Sequence, residues 1–368
     1  MKANTLSLLT AAALFATPAA GAYAQEVAMA QTQPTDSTPK ATTTEKKADS
    51  TAEARAMALG VFNKTVKGVR PYDQRGVNMF ETPKLAAEAW TGPKLDIGAA
   101  FAQPFQAIDH ENSAAPRLVG GVDKNKLMPI GAGVPLASAN LVINAELAPG
   151  VVVSLENYLA SRGHEQFYVK GGFLQIEQSP IDIAPLNKLM SFTTLKVGMF
   201  ENNFGDSHFR RSDAGQAMYN PFVGNYILDA FTTEIGAEVY LKANNIIAMG
   251  AVTGGEIRGS VTNPSKRGPA WIGKLGFDKQ MNDDLRVRLT GSIYTTSKSA
   301  SNTLYGGDRA GSRYYYVMEN TAATESAQFR SGLYNPGFAN EVTAMQLNPF
   351  VNMRGRELFG VIERASGR

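Results

Sequence analysis

The chain has 368 residues, with 43% hydrophobic residues, 19% charged residues and a formal net charge of +3 from 36 Lys and Arg against 33 Asp and Glu. This near balance provides no strong positive field and argues against a dedicated nucleic-acid-binding protein. The sequence has no cysteine, which excludes disulfide scaffolds, thiolate metal sites and cysteine nucleophiles, and after its N-terminal region it has no apolar run of the roughly 18 residues that a spanning helix needs.

The N-terminal region is predicted to direct export. Lys2 gives a basic start, Leu6 to Ala16 is a short apolar run, and Ala22-Tyr23-Ala24 places small residues at the positions that signal peptidase reads. We therefore expect residues 1–24 to be a cleaved signal peptide. Residues 25–60 are rich in Thr, Ala, Gln, Lys and Pro and have no aromatic residue, so we expect a disordered, low-complexity tether in the periplasm.

Residues 61–92 regain aromatic side chains but show neither helical nor strand periodicity, and we interpret them as a pre-barrel segment. From residue 93 to 368 the sequence alternates between apolar and polar residues. The clearest stretch is Leu285 to Tyr294, where every second residue is apolar and the residues between are polar. This period of two predicts strands that have one apolar and one polar face. About ten strands are predicted, near residues 93–106, 138–147, 151–160, 167–177, 192–201, 226–243, 246–255, 270–280, 285–297 and 346–364.

The connections at the two ends of the predicted strands differ in length. Tight turns are expected at Ala148-Pro149-Gly150, Ala243-Asn244-Asn245 and Asn282-Asp283-Asp284, where the residue types tolerate left-handed backbone geometry. Long loops are expected at the other end, and the connection 178–191 is the main exception. This sorting predicts an all-β fold, an antiparallel transmembrane β-barrel of the outer-membrane type. The long loops lie near residues 107–137, 202–225, 256–269 and 298–345.

Three physical considerations agree with a barrel. The predicted strands are about as long as the 9–11 residues needed to cross a membrane at a tilt. A closed barrel also leaves no unpaired strand edge in lipid. Aromatic residues near the predicted strand ends could form interfacial girdles, whereas in the alternative fold, a secreted β-sandwich, they would belong to an ordinary core. These aromatic residues are Phe101, Phe105, Phe167, Tyr168, Phe192, Phe200, Phe204, Tyr226, Tyr240, Trp271 and Tyr294.

Short motifs resemble porin-like proteins. The stretch Leu195-Lys196-Val197-Gly198-Met199-Phe200, followed by Asn203-Phe204-Gly205, resembles the phosphate-selective porin group. Residues 70–84 (Arg-Pro-Tyr-Asp-Gln-Arg-Gly-Val-Asn-Met-Phe-Glu-Thr-Pro-Lys) and the segment from Asn348 to Gly360 are similar to porin-like outer-membrane proteins of the Bacteroidetes type. The resemblance implies a porin in the outer membrane, commonly with sixteen or more strands.

The sequence departs from these porins in two respects. It shows no clear ladder of Lys and Arg in the predicted pore, and it ends Ser366-Gly367-Arg368 where such barrels usually end on a strand with a terminal aromatic residue. We therefore expect the sequence to stop inside a larger barrel of the sixteen-strand type, after its tenth strand. A complete ten-stranded barrel is the alternative.

If the apolar faces contact lipid, the polar faces line a water-filled lumen. The predicted lining carries both signs of charge, so strong ion selectivity is not expected. Lys274, Arg286 and Arg288 are the best candidates for a basic patch that would attract anions, and ion pairs between neighbouring strands are the alternative. The predicted lining residues are Lys94, Asp96, Glu146, Glu156, Lys196, Glu234, Glu238, Lys242, Lys274, Arg286 and Arg288.

The loop at 202–225 is a candidate constriction. It follows the porin-like strand and is long enough to fold inward, which would bring Arg210 and Arg211 into the ion path. A pair of charges in a loop is also typical of a solvated surface, and this is the alternative for both residues.

Enzymatic signatures are missing from the sequence. His110, His164 and His208 lie in separate predicted loops without metal-ligand spacing, and neither a nucleophile elbow nor a phosphate-binding or dinucleotide-binding loop occurs. We expect no enzyme activity, no catalytic residue, no metal and no cofactor.

The predicted function is that of an outer-membrane porin through which small hydrophilic solutes or ions diffuse passively. Its expected partners are outer-membrane lipid and those solutes or ions, with no nucleic acid, and a homotrimer is a possible assembly. The alternative function is a structural or adhesive outer-membrane barrel whose long extracellular loops bind a partner, above all the loop 298–345 with Tyr314-Tyr315-Tyr316.

Overall fold

The computed structural model describes most of the chain after residue 64. The predicted signal peptide (1–24) and tether (25–60) lie outside the described residues, as do Arg211, His164 and the three tyrosines at 314–316. The described residues are 65–76, 79–84, 90–103, 105–134, 137–159, 167–210, 232–255, 264–305, 318–324 and 336–367.

The regular secondary structure of the described residues is almost entirely β-strand. It contains one helix, α1 (Ala184–Met190), and two 3₁₀ turns at Gln74–Gly76 and Ser207–Arg210. None of the helices that the structure describes is long and apolar enough to cross a membrane. The strands are β1 (Lys94–Ala102), β2 (Leu118–Val119), β3 (Val122–Asp123), β4 (Ser138–Ala148), β5 (Val151–Leu159), β6 (Phe167–Ile176), β7 (Thr193–Glu201), β8 (Thr233–Ala243), β9 (Ile246–Thr253), β10 (Ala270–Asn282), β11 (Leu285–Thr296), β12 (Val342–Met353), β13 (Arg356–Phe359) and β14 (Ile362–Gly367).

The main sheet is an antiparallel meander in the order β1-β4-β5-β6-β7-β8-β9-β10-β11-β12-β13, while β2 and β3 form a separate small hairpin. Strands occur in all ten regions where alternation predicts them. The all-β antiparallel class is therefore confirmed, because each alternating run pairs with the next one along the chain.

The prediction of one strand over 346–364 is wrong. Arg354 and Gly355 have φ angles of 52° and 77°, and this left-handed geometry reverses the chain between β12 and β13. β13 and β14 then pair with successive stretches of β12, on the side that β11 leaves free. Together they act as one interrupted strand, so the predicted strand is in fact a hairpin.

The described sheet is open. β1 pairs only with β4, and the position shared by β13 and β14 pairs only with β12. The sheet has 12 strands but eleven positions across its width, because β13 and β14 share one position. Neighbouring strands are antiparallel, so the strands at the first and the eleventh position run parallel to each other. Closure by antiparallel pairing alone would therefore require an odd number of further strands.

Burial is inverted relative to a water-soluble sheet. In β11, Leu289 is 47% exposed and Ile293 is 39% exposed, whereas Arg288 is only 1% exposed. We call the exposed apolar side the outer face and the buried side the inner face; the inner face carries the charged residues together with a hydrophobic cluster around Phe204 and Tyr294. A β-sandwich would require the opposite arrangement, with apolar side chains interdigitating inside. Exposed apolar residues of the outer face include Ile97, Phe101, Leu147, Leu155, Leu174, Val197, Ile235, Val239, Leu241, Val252, Leu275, Met345 and Leu347.

The predicted aromatic girdle is correct only in part. Phe101, Phe105 and Trp271 are exposed, in agreement with an outer girdle. For four other residues the prediction is wrong. They occupy inward-facing strand positions or lie on a loop that folds inward, and they are buried. These four are Phe200, Phe204, Tyr240 and Tyr294.

Tight turns gather at one end of the sheet, which we call the turn end, and longer connections at the other, the loop end. Asn244 and Asn245 join β8 to β9 with φ angles of 51° and 66°, the geometry of a type I′ hairpin turn. The connection 178–191 lies at the turn end and contains α1.

The left-handed turn gives a test of the hairpin. Asn245→Val should destabilise the fold by about 1–2 kcal/mol, because a β-branched residue resists positive φ, whereas Asn245→Gly should retain or slightly raise stability. Unfolding midpoints in detergent measure the difference. Equal midpoints for the two variants would contradict the turn geometry.

Candidate functional site

Six charged side chains form a charge cluster on the inner face. The cations belong to strands β10 and β11, whereas two of the three carboxylates come from outside the sheet. The members are Lys274, Arg286, Arg288, Glu81, Asp206 and Asp278.

The centre of the charge cluster is a four-way set of ion pairs. Lys274 Nζ lies 2.9 Å from Glu81 Oε1 and 2.6 Å from Asp206 Oδ1. Arg288 contacts Glu81 Oε2 at 2.7 Å and forms a fork with Asp206, in which both hydrogen bonds are 2.9 Å. All four side chains are almost fully buried. Pairing at this depth offsets the large desolvation penalty of each charge.

The remaining pair extends the charge cluster toward the turn end. Arg286 Nη2 contacts Asp278 Oδ2 at 2.7 Å, and Arg288 Nη1 contacts the same oxygen at 3.1 Å. The three cations of the predicted basic patch are thus engaged by carboxylates. Arg286 and Arg288 pair with Asp278 on the neighbouring strand, as in the ion-pair alternative, whereas both partners of Lys274 lie outside the sheet. Sequence reasoning missed Glu81 and Asp206 because both are distant in the chain from β10 and β11.

Neighbouring charges determine the ionisation of the two carboxylates outside the strands. Burial opposes ionisation of Glu81, but Lys274 and Arg288 outweigh it and hold the pKa of Glu81 well below its ordinary range. Burial likewise opposes ionisation of Asp206, and the same two cations lower its pKa. The two cations therefore favour the ionised form of both carboxylates.

Glu81 belongs to an inner segment, residues 65–76 and 79–84, that lies across the inner face. Gly68 O accepts hydrogen bonds from Gln175 Nε2 at 2.5 Å and from Thr82 Oγ1 at 3.0 Å. Lys242 Nζ donates to Thr82 O at 2.7 Å. The segment thus covers strands that the sequence predicted to be open to water.

Further contacts fix the early part and the late part of the inner segment. Lys84 Nζ donates to Glu177 Oε2 at 2.9 Å and to Thr193 O at 2.7 Å. The ring of Tyr72 lies directly on Gly98 of β1, where any side chain would collide with it. The described residues of the inner segment are therefore part of the inner face, although their sequence shows no strand or helix period.

The described part of the predicted constriction loop, residues 202–210, also folds over the inner face, and we call it the inner loop. Gly205 N donates to Ser292 Oγ at 2.8 Å, and Asp206 N donates to Asn348 Oδ1 at 3.1 Å. Arg210 is buried and pairs with Glu357 at 2.6 Å. Of the two constriction candidates, the structure thus places Arg210 in an ion pair.

The inner segment and the inner loop meet over the sheet. The rings of Phe80 and Phe209 make an edge contact at 5.8 Å, and Asn203 Nδ2 donates to Glu81 Oε1 at 3.0 Å. Arg70 also donates to the backbone carbonyl of Phe209. Between them the two elements cover the inner face of β10, β11 and β12.

The other predicted lining residues also lie on the inner face, and most are paired. Asp96 is half-buried in β1, on the same face as Gly98. The pairs are Lys94 with Glu146 at 2.7 Å, Lys170 with Glu156 at 3.3 Å and with Glu201 at 3.2 Å, Lys196 with Glu238 at 3.6 Å, and Glu234 accepting from Tyr294 Oη at 2.9 Å. The sequence did not single out Lys170 or Glu201.

A cavity of about 220 Å³ remains between the inner segment and strands β4–β8. Its lining mixes apolar and polar side chains and carries both signs of charge, including Glu156, Lys170, Lys196 and Glu201. The ammonium of Lys196 lies 4.2 Å from the centre of the Phe173 ring. The cavity can hold several water molecules or a small polar solute.

The histidines offer no metal centre in the described part of the chain. No group of three His, Cys, Asp or Glu side chains has a metal-holding arrangement among the residues that the structure describes. His208 is buried against Phe209, with ring centres 4.0 Å apart. Burial lowers the pKa of His208 well below its ordinary value, so the imidazole is neutral.

Comparisons with known proteins leave the family of the chain unassigned. No protein-family model matches the sequence, and no curated protein sequence matches it. Among solved structures, the fold is weakly similar to the crystal structure of Pseudomonas aeruginosa OccK2 (OpdF), with a TM-score of 0.28 and 9% identity. The match covers 75% of this chain and 65% of that chain, so this chain spans less than two thirds of that structure.

The depth of the charge cluster predicts the cost of breaking it. Arg288→Met should destabilise the fold by about 3–5 kcal/mol, because Lys274 alone would then face two buried carboxylates, Glu81 and Asp206, and one buried negative charge would stay uncompensated. The control is Arg354→Met, which breaks an exposed pair with Asp284 and should cost about 0–1 kcal/mol. Denaturant unfolding in detergent compares the two. Similar losses for both variants would contradict the buried network.

Proposed function

We propose that the chain forms the wall of an outer-membrane β-barrel of the porin type, through which small hydrophilic solutes or ions diffuse passively. The observation that carries the proposal is the inverted burial of the sheet, with apolar residues exposed and charged residues enclosed. An apolar surface of this extent is unfavourable in water and favourable against acyl chains. The proposal requires that further strands close the open sheet, since unpaired edges are costly in lipid.

In this proposal the inner-face residues line the passage. Their mixed charges and ion pairs leave little net field, which supports a general pore rather than a strongly ion-selective one. The cavity between the inner segment and β4–β8 is an open space on the described inner face, whereas Glu81 and the inner loop pack directly on β10–β12. The passage would therefore follow the side with Glu156, Lys170, Lys196 and Glu201.

The sorting of turns and loops suggests an orientation. Outer-membrane barrels have short turns on the periplasmic side and longer loops outside, so the turn end of the sheet would face the periplasm. Export by the predicted signal peptide (1–24) fits this placement, as does a periplasmic tether over residues 25–60.

A second candidate function is a closed barrel that binds a partner through its long loops. The coverage of β10–β12 by the inner segment and the inner loop favours it, because a filled interior conducts little. The two candidates differ in one property, which is whether the folded protein carries ions across a membrane.

Planar bilayer recordings with purified full-length protein test the proposed function. The pore predicts stepwise conductance with a weak ion preference, and liposomes that contain the protein should admit sugars up to a size limit. A silent membrane, with folding verified by a mobility shift on heating, would overturn the pore in favour of the partner-binding candidate.

A charge placed on the outer face tests membrane exposure separately. Leu289→Arg, in the middle of β11, should destabilise the protein in lipid vesicles by about 2–4 kcal/mol, since it forces a cation against acyl chains. The control is Met353→Arg, at the turn end of β12, where the expected loss is about 0–1 kcal/mol. If both positions tolerate arginine equally, the outer face does not contact the membrane interior.

A further inference from the structure

We propose that the inner segment is a displaceable plug of this pore and that Glu81 is the latch that holds it against the wall. The inference rests on the proposed function, because a plug acts only where the inner face lines a passage. It assigns to residues 65–76 and 79–84 a regulatory role that a passive wall does not need.

The route of the inner segment allows it to leave. Its early part is bonded to Gln175, near the end of β6, and its last described residue, Lys84, is bonded to Glu177 and Thr193. The early and the late part of the inner segment therefore both lie at the turn end, and the hydrogen bond from Thr82 to Gly68 joins them. The segment is an inward loop that can withdraw toward the turn end without threading past the long loops.

The attachment of the segment differs from that of the wall. Each wall strand is held by a ladder of backbone hydrogen bonds, whereas none of the described residues of the inner segment pairs with the sheet as a strand. Side-chain contacts hold it instead. Elements with few backbone hydrogen bonds to their surroundings open at lower free energy than paired strands, so the segment can leave while the sheet stays folded.

Glu81 makes two buried ion pairs among these contacts. It supplies one of the three carboxylates of the charge cluster, and it bridges Lys274 of β10 and Arg288 of β11. Removing its charge leaves one uncompensated positive charge, which is unfavourable at this depth. The same segment also forms one wall of the cavity, with Arg70, Tyr72, Phe80 and Thr82. Its withdrawal would open the cavity toward β10–β12.

A labelling experiment tests the latch without relying on conductance. The chain has no cysteine, so Val66→Cys places a single thiol on the inner segment, at a position that is only 3% exposed. In vesicles, this thiol should react slowly with a membrane-impermeant maleimide. Adding Glu81→Gln should raise the labelling rate by about a hundredfold or more. Continued protection in folded E81Q protein would overturn the proposal.

Two controls separate plug release from general unfolding. Ala344→Cys reports on the fully buried inner face of β12 and should stay protected in the E81Q background. Exposure of both thiols would mean unfolding and would overturn the latch. Glu146→Gln breaks a pair with Lys94 between two wall strands, so it should leave the Val66→Cys thiol protected. Fast labelling of this thiol in the Glu146→Gln protein would mean that the inner segment is not held by Glu81 in particular, and would overturn the latch.

A second variant covers the case in which E81Q does not fold. Lys274→Met removes the latch contact from the wall side, and Arg288 remains to hold Glu81, so the labelling rate should rise by a smaller factor. Unchanged protection in folded K274M protein would overturn the latch.

Conductance then distinguishes the two proposals. If E81Q exposes the segment and conducts more than the unsubstituted protein, both stand. If the segment is released and neither protein conducts, the plug motion stands and the pore is wrong. If both proteins conduct equally and the Val66→Cys thiol stays protected, the pore stands and the plug is wrong.

Discussion

The electrostatic cost of enclosing charge on the inner face constrains everything else in the described structure. A buried ion costs several kcal/mol unless an opposite charge and hydrogen bonds compensate it. Lys274 and Arg288 are almost fully buried, and they are compensated by Glu81 and Asp206, which the sheet itself does not supply. At the charge cluster, β10 and β11 supply three cations and only one carboxylate, Asp278, so the strands alone leave the cluster unbalanced. The inner segment and the inner loop, which carry Glu81 and Asp206, are required to neutralise the cluster as much as for packing.

The same constraint links the two faces of the sheet. Charged residues occupy the inner face, so the apolar residues of each strand must point outward, and the alternation of the strand enforces this choice residue by residue. Leu289 is exposed because Arg288 and Thr290 are enclosed. An exposed apolar face and an enclosed polar face are consequences of one register. The proposed membrane location and the proposed polar passage therefore depend on the same feature.

The sequence predicted the strands well and the interior poorly, for a physical reason. A period of two is a local signal, so the faces of β8 and β11 could be read directly from their residues. The turn at Arg354 and Gly355 was missed because apolar residues continue on both sides of it. The partners of Lys274 were missed because an irregular segment has no period, and contacts such as that between Glu81 and Lys274 join residues far apart in the chain. The signal peptide, the tether and the pore-lining roles remain predictions.

Spin-label scanning of β11 tests the central claim most directly. Because the chain has no cysteine, single labels can be placed at consecutive positions from Val287 to Ile293 in protein reconstituted into vesicles. Collisions with oxygen, which dissolves in acyl chains, should be frequent at 287, 289, 291 and 293 and rare at the positions between. Equal accessibility at all positions, or outward labels that collide with a water-soluble nickel reagent in preference to oxygen, would contradict a lipid-facing outer surface.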